Sequence, residues 1–492
     1  MSQISVSNLT FAYDGSCDNI FEDVSFRIDT DWKLGFIGRN GRGKTTFLKL
    51  LLGEYEYGGT ISASVNFEYF PYVAAPGRKT ALDVVERICP GCPEWKLQRE
   101  LAALELPENI PGRDYDTLSN GERTKTLLAA LFLRENSFLL IDEPTNHLDA
   151  RGRERVSRYL SGKRGFILVS HDRAFLDGCI DHVISINRAN IEVQRGNFSS
   201  WMDNKRRQDE FELAENERLK KEAGRLAESA RRMADWSDTV ESTKYGARNS
   251  AAVVDRGYIG HKSAKMMKHA KTTAARRLRA VKEKSELLKN IEESEPLKIT
   301  QLEYHSNRLV SLEDVAVFYG GRRVCHNVNF NMDKGDRLAI RGGNGSGKTS
   351  VLKLILGEEI KHTGEVKTGS RLVISYVPQD TSHLAGDLSD YARIKGIDES
   401  LFKAILRKLG FSRVQFEKDI RDFSEGQKKK TLIAGSMCEK AHLLVWDEPL
   451  NYIDVISRMQ IENLLLEYAP TLLFVEHDGV FCDKIATKTA DL

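Results

Sequence analysis

Gly38-Arg39-Asn40-Gly41-Arg42-Gly43-Lys44-Thr45-Thr46 lies between the strand-like run Lys33 to Ile37 and the helical run Phe47 to Leu52. A strand, a glycine-rich loop and a helix in that order make a phosphate cradle. Gly38, Gly41 and Gly43 let successive backbone N–H groups, Asn40 and Thr46 included, wrap an anion. Lys44 brings a point charge to the β- and γ-phosphates, and Thr45 offers a hydroxyl to Mg2+. Farther along, Phe138-Leu139-Leu140-Ile141-Asp142-Glu143 reads as a buried strand that ends in two carboxylates. Asp142 is expected to hold magnesium through water. Glu143 is expected to polarise the attacking water, or, on a rival reading, only to orient it. The two segments together predict nucleotide hydrolysis.

The same order returns in the second half. Gly342-Gly343-Asn344-Gly345-Ser346-Gly347-Lys348-Thr349-Ser350 is followed by Leu443-Leu444-Val445-Trp446-Asp447-Glu448. Lys44 to Asp142 is 98 residues and Lys348 to Asp447 is 99; Asp142 to His171 is 29 and Asp447 to His477 is 30. Duplication of a whole domain explains these spacings. The expected fold is α/β, with two tandem P-loop ATPase domains at about 1–200 and 305–492 joined by a linker at 201–304.

Composition narrows the class. A chain of 492 residues, 41% hydrophobic and 29% charged, is long enough for two or three domains with real cores. No window approaches 18 consecutive apolar residues, and Met1-Ser2-Gln3-Ile4 enters a strand pattern without a basic or apolar leader. A soluble, cytoplasmic protein is expected. Cys89 and Cys92, the one close pair among seven cysteines, have no second pair or nearby histidine to complete a metal site. They read as free thiols in a loop, with a redox pair as the alternative. His182, His326 and His442 read as local hydrogen-bonding residues.

The linker resembles neither half. Leu219, Ala223, Leu226, Ala230 and Met233, and later Ala274, Leu278, Val281, Ser285 and Leu288, form two apolar seams at helical spacing. Two antiparallel helices of roughly 30–35 residues, each roughly 50 Å long, would pack along them, with a tip at about 236–261. From Arg256 to Ser285, ten Lys or Arg stand against the single acid Glu283, a local charge of +9 in a chain of formal charge +2. A solvated face is the plain reading. The one-sign run on a projecting element points instead to a polyanion, either nucleic acid or anionic membrane. Membrane is the weaker choice, because no broad Trp/Phe/Leu face remains free. Candidate RNA contacts are Lys244, Tyr245, Arg248, Arg256 and Tyr258 at the tip, with Lys262, Lys265, Lys268 and Lys271 beyond it.

Leu118-Ser119-Asn120-Gly121-Glu122 and Phe423-Ser424-Glu425-Gly426-Gln427 resemble the signature motif of ATP-binding cassette (ABC) ATPases. The resemblance implies adenine-stacking roles for Tyr13 and Tyr319, the Gln-loop role for Gln379, D-loop roles for Asp149 and Asp454, and switch-histidine roles for His171 and His477. It also implies that the cassettes close head to tail, with one ATP between the first phosphate loop and Ser424 and another between the second loop and Ser119. Gly121 and Gly426 would then lie beside the nucleotides. Magnesium would be held by Thr45 and Asp142 at one site and by Thr349, Gln379 and Asp447 at the other. Some positions depart from the family pattern. Tyr72 stands where the second half has Gln379, Asn120 and Glu425 replace a glycine, and Pro144-Thr145-Asn146-His147 becomes Pro449-Leu450-Asn451-Tyr452. Two inequivalent sites are expected, with no direction to the asymmetry.

Tandem cassettes joined by a long charged hairpin resemble the ABC-F class. That likeness implies a monomer, paired within itself, on the 70S ribosome, its hairpin reaching from the E site past P-site tRNA to 23S rRNA near the peptidyl-transferase centre. Phe11-Ala12-Tyr13-Asp14 and Asp255 to Met267 look very like the Lsa-type antibiotic-resistance proteins, implying protection against lincosamides, pleuromutilins and streptogramin A. Gly38 to Ser119 is 81 residues and Gly342 to Ser424 is 82, so the arm that housekeeping members insert in the first domain is expected to be missing or minimal. No C-terminal extension is expected beyond Leu492. Two rival classes stay open: a translation factor that resolves stalled ribosomes without drug protection, and a soluble ATPase partner of an exporter or of DNA.

Overall fold

The computed structural model describes residues 2–13, 19–72, 80–146, 148–187, 190–242, 261, 264–265, 268, 272–273, 275, 301–343 and 345–492. They belong to two compact units, Met1–Trp201 with Pro296–Leu492, and Met202–Glu295.

The first unit holds two cassettes of one design. In cassette 1, β1 (Gln3–Phe11), β2 (Phe21–Asp29) and β4 (Gly58–Ser62) form an antiparallel sheet ordered β2-β1-β4. The second sheet contains β3 (Lys33–Ile37), β5 (Asn66–Phe70), β6 (Ser137–Asp142), β7 (Phe166–Val169), β8 (His182–Asn187) and β9 (Asn190–Arg195). Its order is β5-β6-β7-β3-β8-β9, parallel except for the β8/β9 hairpin.

Cassette 2 repeats this plan. β10 (Arg308–Tyr319), β11 (Arg322–Asp333) and β13 (His362–Thr368) pair as β11-β10-β13. β12 (Arg337–Arg341), β14 (Ile374–Val377), β15 (Leu443–Asp447), β16 (Leu472–Val475) and β17 (Lys488–Asp491) form a parallel sheet ordered β14-β15-β16-β12-β17.

The central strands carry no polar alternation. Phe138 to Ile141 and Phe166 to Val169 are buried at every position, as strands covered on both faces must be. Because β3, β6 and β7 run parallel, their carboxyl ends share one crest, which sets the first phosphate loop, Asp142 and His171 side by side. Phe47 anchors the helix Lys44–Leu51 beneath that crest. Its ring is fully buried and meets Phe21, Phe26 and Phe36 at centroid distances of 6.1, 5.7 and 5.5 Å. Truncation there to alanine would cost about 3–5 kcal/mol.

Gln301 packs onto cassette 2. Its amide nitrogen donates to the carbonyls of His442 and Thr471, at 3.2 Å each, and its amide oxygen accepts from Thr471 N at 2.8 Å. Among the described residues no helix is long and apolar enough to cross a membrane.

The second unit is reached along the helix Phe198–Ser242, 45 residues long. This exceeds the roughly 30–35 residues expected from the seam, and Trp236 stands on the helix rather than beyond it. The reason is local: 198–242 holds no proline and one glycine, Gly224, and a lone glycine costs only about 1 kcal/mol among strong helix formers. Lys265 and Lys268 are helical and exposed. Lys244, Tyr245, Arg248, Arg256, Tyr258, Lys262 and Lys271, with the second seam from Ala274 to Leu288, lie outside the described residues.

Candidate active sites

Each phosphate loop curls around its own lysine. Lys44 Nζ donates to the carbonyls of Gly38 at 2.7 Å and Arg39 at 3.2 Å and to Asn40 Oδ1 at 3.3 Å; Lys348 Nζ donates to Gly342 O at 3.0 Å and Gly343 O at 2.8 Å. Both ammonium groups are buried, which lowers their pKa values. These carbonyls hold each charge at the loop where a phosphate would take it. Gly43 and Gly347 begin the helices Lys44–Leu51 and Lys348–Ile355 with φ of 90° and 95°. At Gly43 a Cβ would also sit 2.5 Å from Ile20 Cγ2, so both backbone and space require glycine. Gly41 and Gly345 turn the loops at φ of 77° and 78°. Thr46 Oγ1 lies 2.7 Å from Tyr13 Oη, joining the loop to a Tyr13 that is 42% exposed; Tyr319 is 48% exposed. Such open rings can stack on a base. Ser350 stands on the helix that follows the second loop, and Asn344 lies outside the described residues.

The acids end β6 and β15. Asp142 Oδ2 accepts from Thr45 Oγ1 at 2.9 Å and from Tyr69 Oη at 3.1 Å. Both oxygens of Asp447 are buried, and neither makes a hydrogen bond of normal geometry among the described residues, although the Thr349 hydroxyl is near enough to oppose the effect of burial on the carboxyl. Burial raises the pKa of both aspartates. A hydroxyl beside a carboxylate supplies hard oxygen donors of the kind magnesium takes, and the buried Asp447 oxygens are ones a cation could satisfy. Thr45 with Asp142, and Thr349 with Asp447, fit that role.

Glu143 and Glu448 share an unusual backbone, with φ of 50° and 46°, a conformation that costs a non-glycine residue on the order of 1–3 kcal/mol. Each N–H is tied to the strand that leads to its histidine, at Val169 O (2.9 Å) and Val475 O (3.0 Å). Their side chains differ. Glu448 Oε2 accepts from Gln379 Nε2 at 2.8 Å and Asn451 Nδ2 at 2.7 Å, and His477 Nε2 lies 3.5 Å from Oε1. Burial pushes the Glu448 pKa up, but His477 and Asn451 more than offset it and hold the carboxyl below its ordinary value.

Glu143 has neither oxygen hydrogen-bonded among the described residues; His171 Nε2 is 3.2 Å away but outside hydrogen-bond geometry. Burial, with the Asp142 charge beside it, pushes Glu143 up to about 8. Burial and the nearby Lys44 and Arg458 charges hold His171 well below the usual histidine range. Each histidine therefore lies beside its acid, in unequal surroundings.

Ser119 and Ser424 are the N-caps of the helices Asn120–Phe132 and Glu425–Cys438, each in a capping box with Glu122 or Gln427. The cassettes meet at the first phosphate loop. Asn40 Nδ2 donates to Tyr452 O at 2.6 Å, and Asn40 N to Asp454 Oδ2 at 3.3 Å. A Cβ on Gly426 would lie 2.3 Å from Tyr452 O and 2.9 Å from Asn40 Nδ2, so the approach needs glycine. Asn40, Gly426 and Asp454 thus come together head to tail. At the second loop, among the described residues, the Asp149 charge reaches Lys348. Gly121, in the other signature, is half-buried.

Several residues of this interface carry no motif. Arg173, directly after the His171-Asp172 pair, makes a two-pronged ion pair with Glu462 of cassette 2, one prong at 3.2 Å. Lys484 adds a bond to Glu462 at 3.0 Å. Lys430 pairs with Asp454 at 3.0 Å, and Lys429 is buried behind Glu448. Three successive lysines, 428–430, inside an otherwise buried helix were a legible signal for the last two. No sequence pattern links Arg173 to Glu462.

The family model for the ABC transporter matches residues 21–146 and 325–451. The ribosome protection protein VmlR of Bacillus subtilis (strain 168) is 28% identical over 492 residues, spanning 96% of this chain and 84% of that protein. The energy-dependent translational throttle protein EttA of Haemophilus influenzae is 25% identical over 538 residues, spanning 96% and 89%. In fold, the chain is similar to a crystal structure of the archaeal ribosomal stalk protein aP1 with the archaeal ribosome recycling factor aABCE1. The TM-score is 0.63 at 19% identity, covering 98% of this chain and 87% of that one.

Proposed function

This chain belongs to the ABC transporter family, with an ATP-hydrolysing cassette in each half, and from that premise we propose that it is an ABC-F-type ATPase that works on the ribosome. The observation that carries the reading is the Asn40 contact to Tyr452 and Asp454, with Gly426 close beside it, which supports a first phosphate loop that faces the other cassette. A site assembled from both halves lets ATP close the pair and hydrolysis release it. Ribosomal action is supported by relatives named for ribosome protection and translational throttling, each matched over most of its length.

On this reading Lys44 and Lys348 hold phosphates, and Ser424 and Ser119 donate to them from the opposite cassette. Glu143 and Glu448 polarise the attacking water, with His171 and His477 beside them. Magnesium, held by Thr45 and Asp142 or by Thr349, Gln379 and Asp447, neutralises phosphate charge when bound. The basic linker, Lys265 and Lys268 included, meets 23S rRNA near the peptidyl-transferase centre and P-site tRNA from the E site. The output is protection from lincosamide, pleuromutilin and streptogramin A compounds.

The test is co-sedimentation of the E143Q/E448Q chain with 70S ribosomes, followed by release of a prebound lincosamide. Retention with ATP and drug release are expected. A chain that binds ATP but leaves the ribosome overturns the proposal. Retention without drug release points to a stalled-ribosome factor, and ATP-dependent binding to membranes or duplex DNA points to the exporter or DNA class.

A further inference from the structure

Lys429 is among the largest fully buried side chains of the molecule, at 1% exposure, yet it belongs to none of the nucleotide motifs. It stands on the signature helix Glu425–Cys438, five residues after Ser424. Its ammonium donates to Pro378 O at 2.8 Å and to Glu448 O at 3.3 Å. Pro378 precedes Gln379, so a single cation ties the backbones of the two residues that meet at the second acid. Burial lowers the Lys429 pKa, and the carboxylates of Asp447, Glu476, Glu448 and Glu425 offset this in part by favouring the charge.

A second tie lies two residues beyond Gln379. The Thr381 hydroxyl donates to Glu425 Oε2, the residue next to Ser424, and Thr381 is itself buried. Both ties join the N-terminal half of one helix to one loop.

The sequence of cassette 1 differs at each of these points. Aligning Leu118-Ser119-Asn120-Gly121 with Phe423-Ser424-Glu425-Gly426 places Thr124 opposite Lys429 and Asn120 opposite Glu425, and aligning Tyr72 with Gln379 places Ala74 opposite Thr381. A threonine side chain is too short to span two backbones as lysine does, and alanine has no hydroxyl.

We propose that Lys429 is a positioning residue for the second site, through which the signature helix that meets the first phosphate loop sets the backbone of Gln379 and Glu448. Closure over the first loop reaches Gly426 through Asn40 and Tyr452. From there the rigid helix carries it to Lys429, and Lys429 carries it to the second acid. At the position that matches Lys429, Thr124 brings no cation to the route from Ser119 to Glu143, so among the described residues the coupling runs from the first site to the second. Thr381 and Glu425 act in the same direction. This inference rests on the reading of two composite ATP sites given above.

The test is steady-state ATP hydrolysis by the full chain carrying K429T, the residue of cassette 1, in two backgrounds. E143Q leaves turnover at the second site, and E448Q leaves it at the first. K429T is expected to lower kcat by about tenfold or more in the E143Q chain with KM for ATP changed by less than about twofold, and to leave the E448Q chain within about twofold. T381V, which keeps shape and removes the hydroxyl, is expected to give the same pattern with a smaller loss. A residue needed only for folding would depress both backgrounds alike. An equal loss in both, or none in either, overturns the proposal. If K429T fails to fold, T381V decides by the same comparison. Loss of all turnover in both single-Gln chains overturns the two-site reading itself, and the coupling with it.

Discussion

The Gln379 side chain donates to Glu448 at 2.8 Å, whereas Tyr72 occupies the matching position in cassette 1 and no described residue hydrogen-bonds Glu143. A carboxylate held by Gln379 and Asn451 is ionised and aimed; one buried without partners favours its protonated form. The second site should therefore carry most of the turnover. E448Q is expected to lower total kcat by about tenfold or more and E143Q by less than about threefold. Single-turnover ATP hydrolysis by each variant checks this, and equal losses would refute the inequality of the sites.

Arg173 and Glu462 form a buried ion pair across the cassettes, and Asp478 of cassette 2 lies 3.9 Å from the same guanidinium. Their counterparts by alignment, Gly479 and Ser157, cannot form one. Removing one member of such a pair strands the other charge and costs about 3–5 kcal/mol, while apolar replacement of both is nearly neutral. R173M is expected to lower the apparent melting temperature by several degrees, and R173M/E462M to recover at least half of that. Lys484, 40% exposed, can hydrate once Glu462 is gone. A double variant no better than the single would show that the charges are held for some other reason.

Glu100 gives cassette 1 an acid-sensitive element. Burial pushes its pKa up, but hydrogen bonds from Lys163 and Tyr159, at 2.5 and 2.6 Å, more than offset this and hold it below the ordinary 4.5. A carboxyl depressed in the folded state adds stability above its unfolded pKa and loses it as pH falls through the folded value. The gap in melting temperature between wild type and E100Q should be full above about pH 5 and shrink below about pH 4. A gap that stays constant from neutral to acid pH would contradict this.

Lys265 and Lys268 are exposed on a helical backbone within the basic run. If the run meets RNA phosphates, each lysine adds to the counterions released on binding. K265Q/K268Q should weaken ribosome binding and reduce the slope of log K against log salt by about 1.5–2. An unchanged slope would return these two residues to the plain role of a solvated face.

Much of the architecture was legible in advance because its signals are contiguous. A phosphate loop is nine adjacent residues between a strand and a helix, and the duplicated spacings from lysine to aspartate to histidine needed only counting. The linker helix was legible as a helix but not in length. Its apolar seam thins out before the backbone stops favouring helix, and the chain runs on to Ser242.

Sequence by itself determined the two cassettes, their candidate site residues and the difference between Tyr72 and Gln379, since each is written in neighbouring residues. Tertiary structure alone decided which glutamate is held and which is stranded, the Arg173–Glu462 pair across 289 residues, and the burial of Lys429 behind Glu448. The reason is physical: hydrogen-bond geometry and desolvation depend on which distant segments pack around a group. No local pattern specifies the identity of those segments.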